Sequence, residues 1–327
     1  MPEIIIVTIV IALLFELSNG WNDAANAIAT VVSTRVLTPL QAVILAAGMN
    51  AIGALVSTAV AKTIGKGIVD PAQITETMVI SALVASFLWN GAMTRLGLPV
   101  SASHAIIGSL MGAGLAFGGL EILNLAGLKK IFAALIASPI LGIFVGFYFM
   151  KLILKVFGQL SPGTINKYFG RLQILSSSLM AFSHGSNDAQ KVMGVITLAL
   201  FSSKIIPSID VPLWVIFLCA GTMGLGTAMG GWRVIKTLGV NMLKLEPVHG
   251  FAAETSAAGI IFGASALGLP VSTTHVISTC IMGVGATRRL SAVRWGIAGK
   301  ILMAWIFTLP ACIILAYVTQ KILSQVL

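Results

Sequence analysis

Apolar runs of about 20 residues, broken by short polar or Gly/Pro-rich stretches, fill this chain. They fall at 4–33, 39–60, 76–94, 98–118 and 131–154, and again at 172–201, 212–232, 250–267, 270–286 and 300–320. A helix needs about 20 residues to cross the hydrocarbon core of a bilayer. The pattern therefore predicts an all-α polytopic membrane protein of ten spans, with no room for the alternating strands of a β-barrel. The runs at 98–118 and 270–286 are short and Gly-rich, so each either crosses fully or re-enters as a hairpin.

The runs also repeat. SNGWNDA at 18–24 returns as SHGSNDA at 183–189, and GLPVSASH at 97–104 returns as GLPVSTTH at 268–275. At the second offset Lys129 aligns with Lys300 and Pro139 with Pro310. We divide the chain into a first repeat at 1–157, a short polar linker at 158–171 and a second repeat at 172–327. Five crossings per half is an odd number, so the second half enters from the opposite side. Inverted repeats with Gly/Pro-interrupted segments at matching places mark the central binding site of secondary transporters.

Composition agrees: 57% of the 327 residues are hydrophobic and only 9% charged, far below the roughly 25% charge of a soluble domain. The net charge of +10 follows from loop placement. With the N-terminus outside, thirteen basic residues, from Arg35 and Arg95 to Arg294 and Lys300, lie in cytoplasmic loops; six (Lys62, Lys66, Lys129, Lys130, Lys204 and Lys321) lie outside. The positive-inside rule accounts for this excess, and no nucleic-acid partner is implied. The first run lacks a basic n-region and a cleavage site, so it reads as a retained span. Cys219, Cys280 and Cys312 have no disulfide or metal spacing.

The motifs carry the chemistry. Asn19-Gly20 and His184-Gly185 are expected to interrupt their helices and free backbone carbonyls as hard ligands. An ionised Asp at membrane depth costs at least about 2.5–3.5 kcal/mol, so Asp23 and Asp188 should meet cations; capping of a second half-helix is the plainer role for the Asn-Asp pairs. Asn22 and Asn187 carry donors and acceptors that reach toward an anion. Pro99 and Pro270 suit the first turn of a helix. The free amides behind them, with the hydroxyls of Ser101, Ser103, Ser272, Thr273 and Thr274, form an anion cradle suited to a tetrahedral oxyanion; helix–helix glue is the plainer role for those hydroxyls. His104 and His275, one turn on, read as neutral struts, with proton carriage as the alternative. Asn26, Glu16 and Glu254 are further candidate cation ligands; either acid could instead be a proton site, and Glu254 could equally pair with a cytoplasmic-side base. Lys191 stands where the first half has Asn26, and either snorkels or pairs with an acid. His249 reads as interfacial.

At these residues the chain resembles the PiT family of inorganic phosphate transporters. Gly20-Trp21-Asn22-Asp23-Ala24-Ala25-Asn26-Ala27 and Gly185-Ser186-Asn187-Asp188-Ala189 match the family's paired G-x-N-D blocks, and 98–104 and 269–275 its L-P-[VI]-S-x-[ST]-H blocks. The stretch from Gly250-Phe251 to Glu254 also looks familial. The long central loop of larger members is reduced here to the short linker. The resemblance implies secondary-active phosphate uptake coupled to sodium or protons, with sulfate permeases also in the family.

We therefore expect a phosphate symporter of the cell membrane working by alternating access. Two sodium ions near Asp23 and Asp188 would partly neutralise a phosphate held by Asn22, Asn187 and the Pro-Val-Ser hydroxyls. No organic cofactor is expected, and the chain is expected to pair as a homodimer in the bilayer. The alternatives are a proton-coupled phosphate or sulfate permease and, from another class, a passive anion channel. No nucleophile–base spacing points to an enzyme, and no Walker motif to ATP drive.

Overall fold

Helix boundaries fall where capping chemistry sets them. The computed structural model describes residues 2–326. In its first half α1 (Pro2–Ser33), α2 (Pro39–Ala54), α3 (Ala59–Gly67), α4 (Glu76–Leu96), α5 (Ala102–Gly118) and α6 (Leu125–Phe157) follow in order. The second half repeats them as α7 (Pro162–Ser202), α8 (Leu213–Met229), α9 (Trp232–Lys236), α10 (Pro247–Ala266), α11 (Thr273–Ala286) and α12 (Trp295–Val326). Even the bends recur: α2 meets α3 at 68°, and α8 meets the helical stretch from Trp232 to Asn241 at 63°. Between the halves, the stretch outside helices is confined to 158–161.

Among the described residues, five helices are long and apolar enough to cross a membrane alone, and the two bent pairs raise that to seven. The other predicted spans, α7, α10 and α11, fail that test for a physical reason. The first two carry buried polar side chains such as His184, Asp188, Lys191 and Glu254, and α11 has only 14 residues. Apolar side chains cover the outside, among them Ile136, Phe144, Phe217 and Ile306. Polarity lies inside and hydrocarbon-like surface outside, as a lipid solvent requires.

The expected breaks at Gly20 and Gly185 do not occur, since α1 and α7 run through both positions without interruption. Both glycines are instead points of close helix approach. A Cβ on Gly20 would meet the Met223 carbonyl of α8 at 2.7 Å, and one on Gly185 would collide with the Asn50 carbonyl of α2. Small residues let membrane helices approach in this way. The helices break elsewhere: Gly97 (φ 72°) and Gly268 (φ 67°) adopt the left-handed conformation that glycine accepts without steric cost. The stretches 98–101 and 269–272 then run non-helically to α5 and α11.

The N-termini of α5 and α11 meet tip to tip. Ser103 Oγ donates to the Val271 carbonyl at 2.7 Å, and Thr274 Oγ1 donates to the Val100 carbonyl at 3.1 Å. Each contact is the repeat image of the other. Exchange between halves is general: α1 packs on α8, α7 on α2, α5 on α12 and α6 on α11.

Candidate functional site

α1 and α7 bring the acids together because both place polar residues at helical spacing on an inward face. On α1, Glu16, Asn19, Asp23, Asn26 and Thr30 recur every three or four residues and are buried. Residues so spaced share a helix face. His184, Asp188 and Lys191 do the same on α7. Ligand atoms of Asp23, His184 and Asp188 all lie within 4.8 Å of one another. His184 Nε2 is 3.7 Å from Asp23 Oδ2 and 3.8 Å from Asp188 Oδ2.

The tautomer of His184 follows from its neighbours. Thr227 Oγ1 donates to the Met223 carbonyl at 2.9 Å, so toward Asn50 it acts as acceptor. Asn50 Nδ2 donates to that hydroxyl at 2.9 Å, which turns Asn50 Oδ1 toward His184 Nδ1 at 2.8 Å. An amide oxygen only accepts, so Nδ1 carries a proton and Nε2 is the nitrogen turned toward both carboxylates. Among the described residues, that nitrogen, Asp23 Oδ2 and Asp188 Oδ2 have no hydrogen-bond partner, nor have the side-chain oxygens of Glu16, Asn19, Asn22 and Asn26. Buried acceptors lacking donors are costly. A small hard cation held through the carboxylate and amide oxygens, with His184 Nε2 beside it, fits this set.

Lys191 pairs with an acid rather than snorkelling: its Nζ lies 2.8 Å from Asp188 Oδ1, and the residue is 1% exposed. The contact is an ion pair by distance, without hydrogen-bond alignment.

The tips of α5 and α11 adjoin this cluster. Thr274 Oγ1, whose single proton is shared between Asp23 Oδ1 and the Val100 carbonyl, each at 3.1 Å, accepts from Asn26 Nδ2 at 3.0 Å, with Thr273 Oγ1 also 3.4 Å from that amide. Ser101 and Ser272 are N-caps, accepting from the His104 and His275 amides at 3.1 and 3.3 Å. Within each first turn the two earlier amides, at Ala102 and Ser103 and at Thr273 and Thr274, have no intrahelical acceptor. Asn22 Nδ2 donates to Thr94 at 2.6 Å and Asn187 Nδ2 to Ser265 at 2.9 Å, another repeat-related pair. Donor amides, hydroxyls and two helix N-termini thus converge beside the carboxylates.

His104 and His275 sit side by side, ring centroids 4.7 Å apart. His104 Nδ1 is 2.8 Å from Ser101 Oγ, and His275 stacks on Trp305 at 3.8 Å. A cavity of about 620 Å³ between α6 and α12 ends on these rings, but its apolar walls, including Ile136, Ile140 and Leu302, suit hydrocarbon rather than an anion. Glu254 lies in a separate network, accepting from Thr30, Ser176 and Gln173, with no basic partner among the described residues. His249, at the start of α10, closes a capping box by accepting from the Glu246 amide at 3.1 Å.

In the sequence motif His184 reads only as part of a helix interruption. Its signal was present: it is a titratable side chain where the first repeat has Asn19. Asn50 and Thr227 lie outside both motifs and leave no trace in the sequence pattern.

A sequence profile described as the Phosphate transporter family matches residues 19–164 and 161–316. A Bacillus subtilis protein described as a probable low-affinity inorganic phosphate transporter is 46% identical over the whole of both chains. A Rhizobium meliloti protein with the same description is 45% identical, covering 94% of this chain and 93% of its own. Among solved structures, one titled the sodium-dependent phosphate transporter is similar with a TM-score of 0.92 at 26% identity, over 99% of this chain and 100% of that one.

Proposed function

This chain belongs to the phosphate transporter family, and from that premise we propose that it carries inorganic phosphate across the cell membrane in symport with sodium, by alternating access to a site between its two repeats. Sodium is held by Asp23 and Asp188, with His184 Nε2 as a third ligand and Asn26 at the margin. Phosphate is held by Asn22, Asn187, Ser103, Thr273, Thr274 and the first amides of α5 and α11. Ser101 and Ser272 act through the helix ends they cap. Glu254 belongs to another network and Glu16 lies a turn or more from the tips, so neither is assigned a direct contact.

The observation that carries this reading is Thr274, whose hydroxyl sits 3.1 Å from Asp23 Oδ1 in the first turn of α11. The cation ligands and the anion cradle therefore share a residue. An anion alone at membrane depth is costly; bringing a cation into contact with it is the physical reason for coupling. Phosphate is preferred over sulfate because a protonated phosphate oxygen donates to an unpartnered acceptor such as Asn22 Oδ1, and sulfate leaves that acceptor unpaired.

The N-terminus is placed outside by the basic-residue count, the repeats are taken as 1–157 and 172–327, and two chains pair through their apolar outer faces. The test is uptake of labelled phosphate into proteoliposomes at clamped pH. Uptake should require an inward sodium gradient and collapse with a sodium ionophore; full concentrative uptake without sodium would reject the sodium reading and leave proton coupling.

A further inference from the structure

The two repeats place different side chains at one central position. Asn26 on α1 and Lys191 on α7 are separated by the same offset that relates Asp23 to Asp188. Asn26 is neutral and bonds Thr274 at 3.0 Å. Lys191 is buried and holds its ammonium 2.8 Å from Asp188 Oδ1. Among the described residues Asp23 has no lysine or arginine partner: its nearest basic neighbour is His184, whose Nε2 lies 3.7 Å away. The two carboxylates are thus equivalent by sequence and unequal in charge balance.

We propose that Lys191 is a built-in cation that replaces one of two coupling sodium ions, so that the site loads a single sodium between Asp23 Oδ2, His184 Nε2 and Asp188 Oδ2. The inference rests on the cation reading given above. A buried carboxylate needs one positive partner to lie at membrane depth. For Asp188 the chain itself supplies it, on Oδ1, whereas Oδ2 is the oxygen near His184. A second sodium there would lie against the ammonium and be repelled at short range in a low dielectric. The remaining uncompensated charge is the one on Asp23, and three ligand atoms within 4.8 Å of one another make one site rather than two.

The test uses the purified full-length chain, titrated with sodium at constant ionic strength without phosphate, and reads melting temperature. Binding stabilises in proportion to the logarithm of ligand concentration per site occupied. The wild type should show the slope of one sodium. Lys191→Asn, which restores the symmetry of the repeats, should show a slope about twofold steeper, with the sodium dependence of phosphate uptake steepening in parallel. Lys191→Arg, keeping the charge, should stay at the wild-type slope.

If Lys191→Asn leaves Asp188 too unbalanced to fold, Lys191→Gln, a longer neutral amide that keeps every sodium ligand in place, takes over and should show the same steeper slope. An unchanged slope in folded Lys191→Gln would overturn the proposal. So would an unchanged sodium slope in folded Lys191→Asn, including the case where only its KM for phosphate rises, which would make Lys191 an anion ligand. A wild type indifferent to sodium in both melting and uptake would sink the sodium reading itself; Lys191→Asn gaining a sodium response would still support the built-in cation.

Discussion

His184 Nδ1 lies 2.8 Å from Asn50 Oδ1, and this contact sets which imidazole nitrogen faces the paired carboxylates. The two residues come from different repeats and meet because Gly185 lets α7 press against α2 at Asn50. Asn50→Leu should leave the tautomer unfixed and a buried N–H unpaired. Partners that orient a ligating His are typically worth about 10–100-fold in metal affinity. Apparent sodium affinity, measured from the sodium dependence of uptake, should fall by about tenfold or more, whereas Asn50→Asp, which keeps an acceptor, should lose less.

Asp23 and Asp188 should respond unequally to neutralisation. Asp23→Asn should abolish sodium-coupled uptake while the protein still elutes as a folded species. Asp188→Asn should abolish uptake and also destabilise, because Lys191 is left buried without its partner 2.8 Å away. Breaking a buried pair from one side costs about 3–5 kcal/mol. Melting curves of the two variants in detergent, run beside the uptake assay, check the difference.

How far could the sequence be read? The repeat, the two motif pairs and the inward-facing Asn-Asp residues were legible, because duplication marks a position even where its role is obscure. Gly20 and Gly185 were misread for a physical reason. A glycine inside an apolar run signals a break or a close contact equally well, and only the neighbouring helix tells which. That neighbour is unpredictable from one chain, since periodicity shows which face is buried and not against what. Asn50 and Thr227 escaped for the same reason, being single polar residues whose meaning arises when α2, α7 and α8 pack together. The stitch between tips was half visible: Ser103 and Thr274 were singled out as anion donors, and each also holds the opposite repeat's backbone.

That stitch should be reciprocal in its energetics. Ser103→Ala and Thr274→Val each remove one hydroxyl-to-carbonyl bond, worth about 0.5–1.5 kcal/mol. The two bonds cross the same interface, so the double variant should depart from additivity. Thermal melts should show this coupling, and phosphate uptake should fall further for Thr274→Val, because Thr274 also bonds Asp23.

Gly185→Ala should cost about 1–3 kcal/mol or more through overpacking, since its Cβ would run into the Asn50 backbone carbonyl. Gly48→Ala is the control, with nothing within 4 Å of the added methyl. Detergent-solubilised yield and melting temperature should drop for the first and hold for the second. If both behave alike, the close approach of α2 and α7 at this point is wrong.

Because α1 rests on α8, α2 on α7, α5 on α12 and α6 on α11, neither half owns the neighbours its helices need. During synthesis the earlier segments must wait in the bilayer, their amides and carboxylates shielded only provisionally, until translation delivers the later ones. A gene split between α6 and α7 should yield a working product only when both fragments are made in the same cell, and truncation after α6 should feed the quality-control proteases.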